Sequence, residues 1–281
     1  MWIDTHCHLD DDAFAADVEQ AITQASQAGV EAMLTQGTTF ATSRKCLELA
    51  ERFPTVFAAV SVHPNCLLAD FTRTASPEEF LDRFQTLATH PQTCAIGETG
   101  LDAYWDDVPL DFQKIWLEHH LTLARLTRLP VVIHCRDAEL PLLETLRHDF
   151  TRNGPVPGVI HSFSGDVAFL RECIELGFYI SYSGSVTYTN KKFDALRETV
   201  PQVPADKLLV ETDSPYLIPM PFRGKLEKNQ PALVAHTGTF LAKLRDVPVS
   251  QLAAQTTANA RRLFFGGTEP GKTADYFPER V

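Results

Sequence analysis

The segment WIDTHCHLDD opens the chain and sets two imidazoles, His6 and His8, two residues apart at the end of an apolar run. In an extended strand side chains alternate between faces, so His6 and His8 project to one side while Thr5, Cys7 and Leu9 project to the other. Two nitrogen donors on one face begin a site for a transition ion, which imidazole ligates well. His-x-His is also a common accident, so the rest of the chain must supply partners. Glu98 in TCAIGETG, His134 in PVVIHC, His161 in GVIHSF and Asp213 in LLVETD are the candidates, each near the end of a short apolar or β-branched run.

Those runs are elements of a regular pattern. Strand-like stretches fall at 2–7, 32–37, 56–62, 93–100, 130–135, 158–163, 178–184 and 208–213. Between and after them, segments 15–28, 40–53, 77–89, 110–128, 138–150, 166–176, 190–199, 231–245 and 249–264 carry Leu, Ala, Glu and Arg at helical spacing. Strands alternating with crossover helices pair in parallel, and about eight such units predict closure into an α/β (β/α)₈ TIM barrel, with an open doubly wound sheet as the competing arrangement. No linker composition interrupts the pattern, so residues 1–265 read as a single domain and 266–281 as a C-terminal tail, loose or wrapped on the surface. The proline-rich stretch 215–231 reads as a long loop after the eighth strand.

Parallel barrels gather their chemistry where strands end, at the C-terminal face. All six candidates sit on that rim. Parity supports them from below, pairing His134 with Val132, His161 with Val159, Glu98 with Ile96 and Asp213 with Leu209. A lone strand-end histidine is commonly just a satisfied polar group, and a lone acid there caps the next helix. Caps need no imidazoles, so the set points to metal. Four imidazoles and two carboxylates exceed what one open catalytic ion takes, whereas two divalent metal ions sharing a carboxylate use them all. The mixed nitrogen and oxygen donors suit Zn or Mn better than Mg. Such a pair activates water and stabilises the entering and leaving oxygens of a displacement, so the chemistry is hydrolysis.

Composition narrows the partners. The formal net charge of −11 opposes broad phosphate binding, so DNA or a small phosphodiester would have to be gripped at a local site. No apolar run is long enough for a membrane helix and no signal-like segment opens the chain, giving the expectation of a cytoplasmic protein. Cys7, Cys46, Cys66, Cys94, Cys135 and Cys173 form no C-x-x-C pair and read as reduced thiols.

The segments IDTHCHLD, VHP, IGETGLD, LPVVIHCRDA, VIHSFSGD, GFYISYSG, LVETDSPYL and NARRLF, in this order, resemble the TatD family of metal-dependent deoxyribonucleases over nearly the whole chain. The resemblance implies a two-metal barrel with His6, His8 and Asp213 on one ion, His134 and His161 on the other, and Glu98 bridging. It implies a deoxyribonuclease that cleaves phosphodiester bonds with a metal-activated water. Departures are Ser61 before VHP, AYWDD after GLD, His120 where the family has Gln, and Leu226, Glu227 and Lys228 before Asn229. They are expected to touch the substrate rim rather than the ligands.

Glu98 and Asp213 are therefore the catalytic candidates, Glu98 holding the ions together and Asp213 accepting a proton through its free oxygen. Arg136, two residues past His134, could hold a phosphate, with His63 on the same rim and Arg223 and Lys225 in the loop after the eighth strand. Each of these could instead be an ordinary solvated surface charge. Asp4 and Glu211 are candidates to orient ligand imidazoles. Tyr104 and Trp105 could stack on a base or simply pack their loop. Two rivals stand beside the nuclease, an amidohydrolase-like enzyme cleaving C–N or carboxylic ester bonds, including aminoacyl esters, and a non-catalytic metal-binding protein. The commonest binuclear amidohydrolase form needs a lysine at the end of strand four, where this chain has Glu98. An acidic monomer fits the charge.

Overall fold

The computed structural model describes residues 1–71 and 76–266. Its elements run β1 (Trp2–Cys7), α1 (Val18–Gln27), β2 (Val30–Gln36), α2 (Phe40–Arg52), β3 (Val56–Val60), α3 (Leu67–Asp70), α4 (Pro77–Ala88), β4 (Thr93–Asp102), α5 (Leu110–Thr127) and β5 (Val131–Arg136). They continue with α6 (Glu139–Asn153), β6 (Gly158–Ile160), α7 (Val167–Glu175), β7 (Tyr179–Tyr182), α8 (Asp194–Thr199), β8 (Leu208–Val210), α9 (Val234–Leu244) and α10 (Val249–Phe264). Local signals start several helices. Thr39 and Thr42 form a reciprocal cap on α2, Ser76 with Pro77 opens α4, and the Asp166 carboxylate accepts from Phe169 N–H at the start of α7.

The eight strands are parallel and lie in the order β1 to β8. The barrel closes through the segment after β8, where Asp213 N–H donates to His6 C=O at 2.9 Å and His8 N–H donates to Ser214 C=O at 2.7 Å. Three of the candidate ligands, His6, His8 and Asp213, thus lie on the closing seam itself. The predicted (β/α)₈ barrel is the observed fold. The proline-rich loop is as expected, with no helix or strand between β8 and the tight turn Pro231–Leu233. The tail expected from residue 266 lies, past Gly266, outside the described residues.

Alternate residues from all eight strands fill the lumen: Ile3, Leu34, Phe57, Ala95, Val132, Val159, Tyr179 and Leu209. Phe265, just past α10, meets Phe57 edge to face at 4.7 Å and plugs the end away from the rim. Full burial of each such ring contributes on the order of 1.5–3 kcal/mol. A second layer, including Met33, Ile96, Ile133 and Trp116, packs strands against helices. The rim is therefore carried on a packed cylinder.

Two parity expectations fail. Ile96 faces the helices while its neighbour Ala95 faces the lumen, and the register shifts between Ile96 and Thr99. This irregularity, not simple alternation with Ile96, turns Glu98 inward. The register also shifts between Asp4 and Cys7, so Thr5, which alternates with Ile3 and faces the lumen with Oγ1 3.2 Å from Ser181 Oγ, lies on the same side as His6 and not opposite it. β6 and β8 end earlier than expected, at Ile160 and Val210, leaving His161 and Asp213 on the turns that follow.

Candidate metal centre

Glu98 is buried at the middle of the rim, and its two oxygens face different partners. Oε2 lies 3.4 Å from His6 Nε2 and 3.6 Å from His8 Nε2. Oε1 lies 2.9 Å from His134 Nδ1 and 2.8 Å from His161 Nε2. Asp213 Oδ1 adds 3.6 Å and 3.5 Å contacts to the Nε2 atoms of His6 and His8. All six candidate ligands thus converge around one carboxylate.

The backbone forces this convergence. Gly100 sits at φ +145°, and a Cβ there would stand 2.0 Å from His134 C=O, so β4 and β5 approach as only glycine allows. Ser61 Oγ donates to the Glu98 carbonyl at 2.5 Å, and Glu98 N–H donates to Gly37 C=O at 3.2 Å. Asp213 occupies the left-handed region at φ +56°, a conformation short polar side chains tolerate best.

The spacing of these donors fits cations. His6 Nε2 and His8 Nε2 stand 3.2 Å apart, and His134 Nδ1 and His161 Nε2 3.3 Å apart. Two facing imidazole nitrogens can share one proton at most. A tetrahedral ion with ligands at about 2.0–2.1 Å has edges of about 3.3–3.4 Å between them, close to the 3.2–3.6 Å separations among His6, His8 and Glu98 Oε2, whereas the imidazoles at Glu98 Oε1 stand at the 2.8–2.9 Å of direct hydrogen bonds. Two further groups, His6 with His161 and Glu211, and His63 with Asp102 and His134, also keep their donor atoms within 4.8 Å, but they borrow imidazoles from the Glu98 sets.

Electrostatics agree. Burial pushes Glu98 upward, yet the imidazoles of His161, His63 and His134 hold it well below the usual carboxylate range. Asp213 is likewise held down by His8 and His6 against the effect of burial. Burial opposes a proton on His8, but the Asp213 hydrogen bond and the Glu98 charge raise it to about 9. Cations ligated here displace such protons.

Behind the donors stand orienting groups. His134 Nε2 donates to Asp102 Oδ2 at 2.9 Å, His8 Nδ1 faces Gln36 C=O at 3.3 Å, and His161 Nδ1 faces Glu211 Oε1 at 3.4 Å. Glu211 therefore stands where the sequence suggested. Asp4 does not. It accepts from Thr212 N–H at 2.8 Å and Thr212 Oγ1–H at 2.6 Å, and joins the two edges of the barrel instead of an imidazole. Asp102, which sequence reasoning passed over, shares parity with Glu98 at the end of β4, and that was the available signal. Gln113 fixes it, accepting from Asp102 N–H at 2.8 Å and donating to its carbonyl at 2.9 Å.

Of the substrate candidates, His63 joins the centre, its Nε2 3.5 Å from Glu98 Oε1 and its Nδ1 accepting from Asn65 N–H at 3.1 Å. Arg136 is exposed and lies on Tyr104, 3.7 Å from its ring centroid. Arg223 lies 4.0 Å over Tyr188, and Lys225 is exposed in the same loop. Neither contacts the six ligand candidates among the described residues. Ser61 and His120, expected at the substrate rim, are instead fully buried. Ser61 supports the backbone of Glu98, and His120 packs behind β3, accepting from Val62 N–H at 3.1 Å. Among the described residues no helix is long and apolar enough to cross a membrane.

A family model described as TatD related DNase matches residues 3–265. The chain is 36% identical over 264 residues to an uncharacterized metal-dependent hydrolase, YabD, of Bacillus subtilis, covering 94% of this chain and 99% of that protein. It is 35% identical over 264 residues to a protein of Citrobacter koseri named 3'-5' ssDNA/RNA exonuclease TatD, covering 93% and 98%. The crystal structure of YJJV, a TatD homolog from Escherichia coli K12, superposes with a TM-score of 0.84 at 30% identity, over 94% of this chain and 98% of that one. With a metal-suited rim on the same barrel, this chain is a metal-dependent hydrolase and belongs to the TatD-related DNase family.

Proposed function

We propose that the rim holds two divalent cations and cleaves phosphodiester bonds of DNA or a smaller phosphodiester. His6, His8 and Asp213 would hold one ion, His134 and His161 the other, with Glu98 between them. The observation that carries this reading is the division of Glu98, one oxygen toward each imidazole pair. Predominantly nitrogen donors favour Zn or Mn over Mg. The nuclease name carried by the Citrobacter koseri relative supports nucleic acid as substrate.

Bound cations supply Lewis acidity toward a phosphoryl oxygen and ease deprotonation of adjacent water. The chain's own residues do the rest. Asp213 faces the His6 and His8 pair through Oδ1 and keeps Oδ2 to take a proton from the attacking water. His63, fixed by Asn65 N–H on Nδ1, presents Nε2 beside Glu98 for a phosphoryl oxygen or the leaving oxygen. Arg136 offers guanidinium donors for the neighbouring phosphate, and Arg223 and Lys225 add positive charge from the loop after β8. The buried thiols of Cys7, Cys46 and Cys173 suit a reducing compartment, the cytoplasm, and we take the active species to be a monomer.

Elemental analysis with a hydrolysis panel tests this. Expected are about two equivalents of divalent metal per chain and cleavage of oligodeoxynucleotides that chelator abolishes and Zn or Mn restores. Metal-loaded protein that hydrolyses aminoacyl esters or amides but no phosphodiester would overturn it in favour of an amidohydrolase-like activity.

A further inference from the structure

Tyr104 and Trp105 follow β4 with 53% and 51% of their surfaces in solvent. Single exposed apolar side chains are ordinary, but these two adjoining rings make one exposed patch beside the proposed centre. Their turn is nonetheless fixed. Asp102 Oδ1 accepts from Tyr104 N–H at 3.0 Å and Trp105 N–H at 3.2 Å, while Oδ2 of the same carboxylate accepts from His134 Nε2. One side chain thus ties the aromatic turn to the proposed centre.

Arg136 completes the group. Its guanidinium carbon lies 3.7 Å from the Tyr104 centroid and 6.0 Å from that of Trp105, and the two rings meet edge to face at 4.9 Å and 88°. In a chain of net charge −11, with Asp106 and Asp107 next in the loop, this guanidinium makes no ion pair or hydrogen bond among the described residues. Tyr104 covers one face of the planar cation and leaves its N–H edge open, the geometry in which guanidinium takes phosphate.

We infer that Trp105 seats an unpaired nucleobase of the substrate while Arg136, backed by Tyr104, holds the adjoining phosphate. Arg136 and His134 are two residues apart on β5, about 6.6 Å along the strand, comparable to one extended nucleotide step. The phosphate grip and the centre are therefore spaced for consecutive nucleotides. A base inside a duplex has both faces covered by its neighbours, so Trp105 accepts only a terminal or unpaired one. The seat would give a residue-level basis for single-strand use of the kind named for the Citrobacter koseri relative, and it rests on the phosphodiester reading above.

The test measures binding to the metal-loaded protein of a phosphorothioate-linked thymidine tetranucleotide, which resists hydrolysis, against an abasic tetramer of the same linkage. Wild type should prefer the base-bearing strand, and Trp105→Ala should cut that preference about tenfold while Trp105→Phe keeps most of it. Equal preference in wild type and folded Trp105→Ala overturns the seat. Cleavage of unmodified strands reports separately on the centre. A Trp105-dependent preference without any cleavage retains the seat and removes the phosphodiesterase, whereas cleavage with no preference for bases removes the seat alone.

Discussion

His134 Nε2 donates to Asp102 Oδ2 at 2.9 Å while its Nδ1 stands 2.9 Å from Glu98 Oε1, so one imidazole is gripped by a carboxylate at each end. Against burial, the His134 hydrogen bond holds the Asp102 carboxyl at about 2, so it is an anion at every working pH. That charge fixes the tautomer and orientation of His134 and raises its basicity toward a cation. Asp102→Asn should weaken metal affinity or activity about 10- to 100-fold without unfolding the barrel. Titration against a competing chelator, paired with thermal melting, reads both quantities. Wild-type affinity in the variant would leave Asp102 with no part in the centre.

Glu98 should matter more than Asp102, because it contacts both imidazole pairs directly. Glu98→Ala is expected to lower phosphodiester turnover by more than about a hundredfold, the upper end for a supporting group, and to lower metal content. Asp213→Asn is the gentler probe, since asparagine also tolerates φ +56° and keeps the seam at His6 intact. It should retain the far-ultraviolet circular dichroism of wild type while losing turnover. Full activity in either purified variant contradicts the assigned roles.

Cations bound to the folded state alone stabilise it by mass action, about 2.7 kcal/mol for one site at a hundred times its dissociation constant. For a chain of this size each kcal/mol moves the melting temperature by about 2–4 °C. Chelation should therefore lower the wild-type midpoint by roughly 5–10 °C for each ion removed. Glu98→Ala should show little of that shift. A chelator shift of the same size in both proteins would place the stabilising ion elsewhere.

The barrel was legible because its signals are local and repeat. Strand and helix periods alternate along the chain, and Ser76–Pro77 and Asp166 announce helix starts. The six candidate ligands were legible because strand ends in a parallel barrel share a rim. What escaped was whatever breaks the period. Alternation could not see the shift between Ile96 and Thr99 that turns Glu98 inward, nor the one that separates Asp4 from the imidazoles. Asp102 escaped because a carboxylate beyond an apolar run resembles a helix cap until its distance to His134 is known. Ser61 and His120 were misplaced at the substrate rim because a difference from a family pattern does not say whether the position faces solvent or core.

His120 offers a test of that core position through pH. It is fully buried, Val62 N–H donates to its Nε2, and its Nδ1–H donates to Trp116 C=O at 2.7 Å, so the folded chain holds the ring neutral. Burial lowers its pKa to about 3 despite the Trp116 hydrogen bond, against an ordinary value of 6.5. Below 6.5 the unfolded chain therefore binds a proton that the folded one refuses. The associated stability is fully present above that pH and falls as pH drops toward 3, with a limiting slope of about 1.4 kcal/mol per pH unit. His120→Gln can accept from Val62 and donate to Trp116 without titrating. It should match wild type at pH 7 within about 1 kcal/mol and lose stability less steeply between pH 6 and 4. The other titrating groups are common to both proteins, so the difference between their denaturant midpoints isolates this ring. Parallel loss in the two would mean that His120 takes up its proton in the folded chain as readily as in the unfolded one.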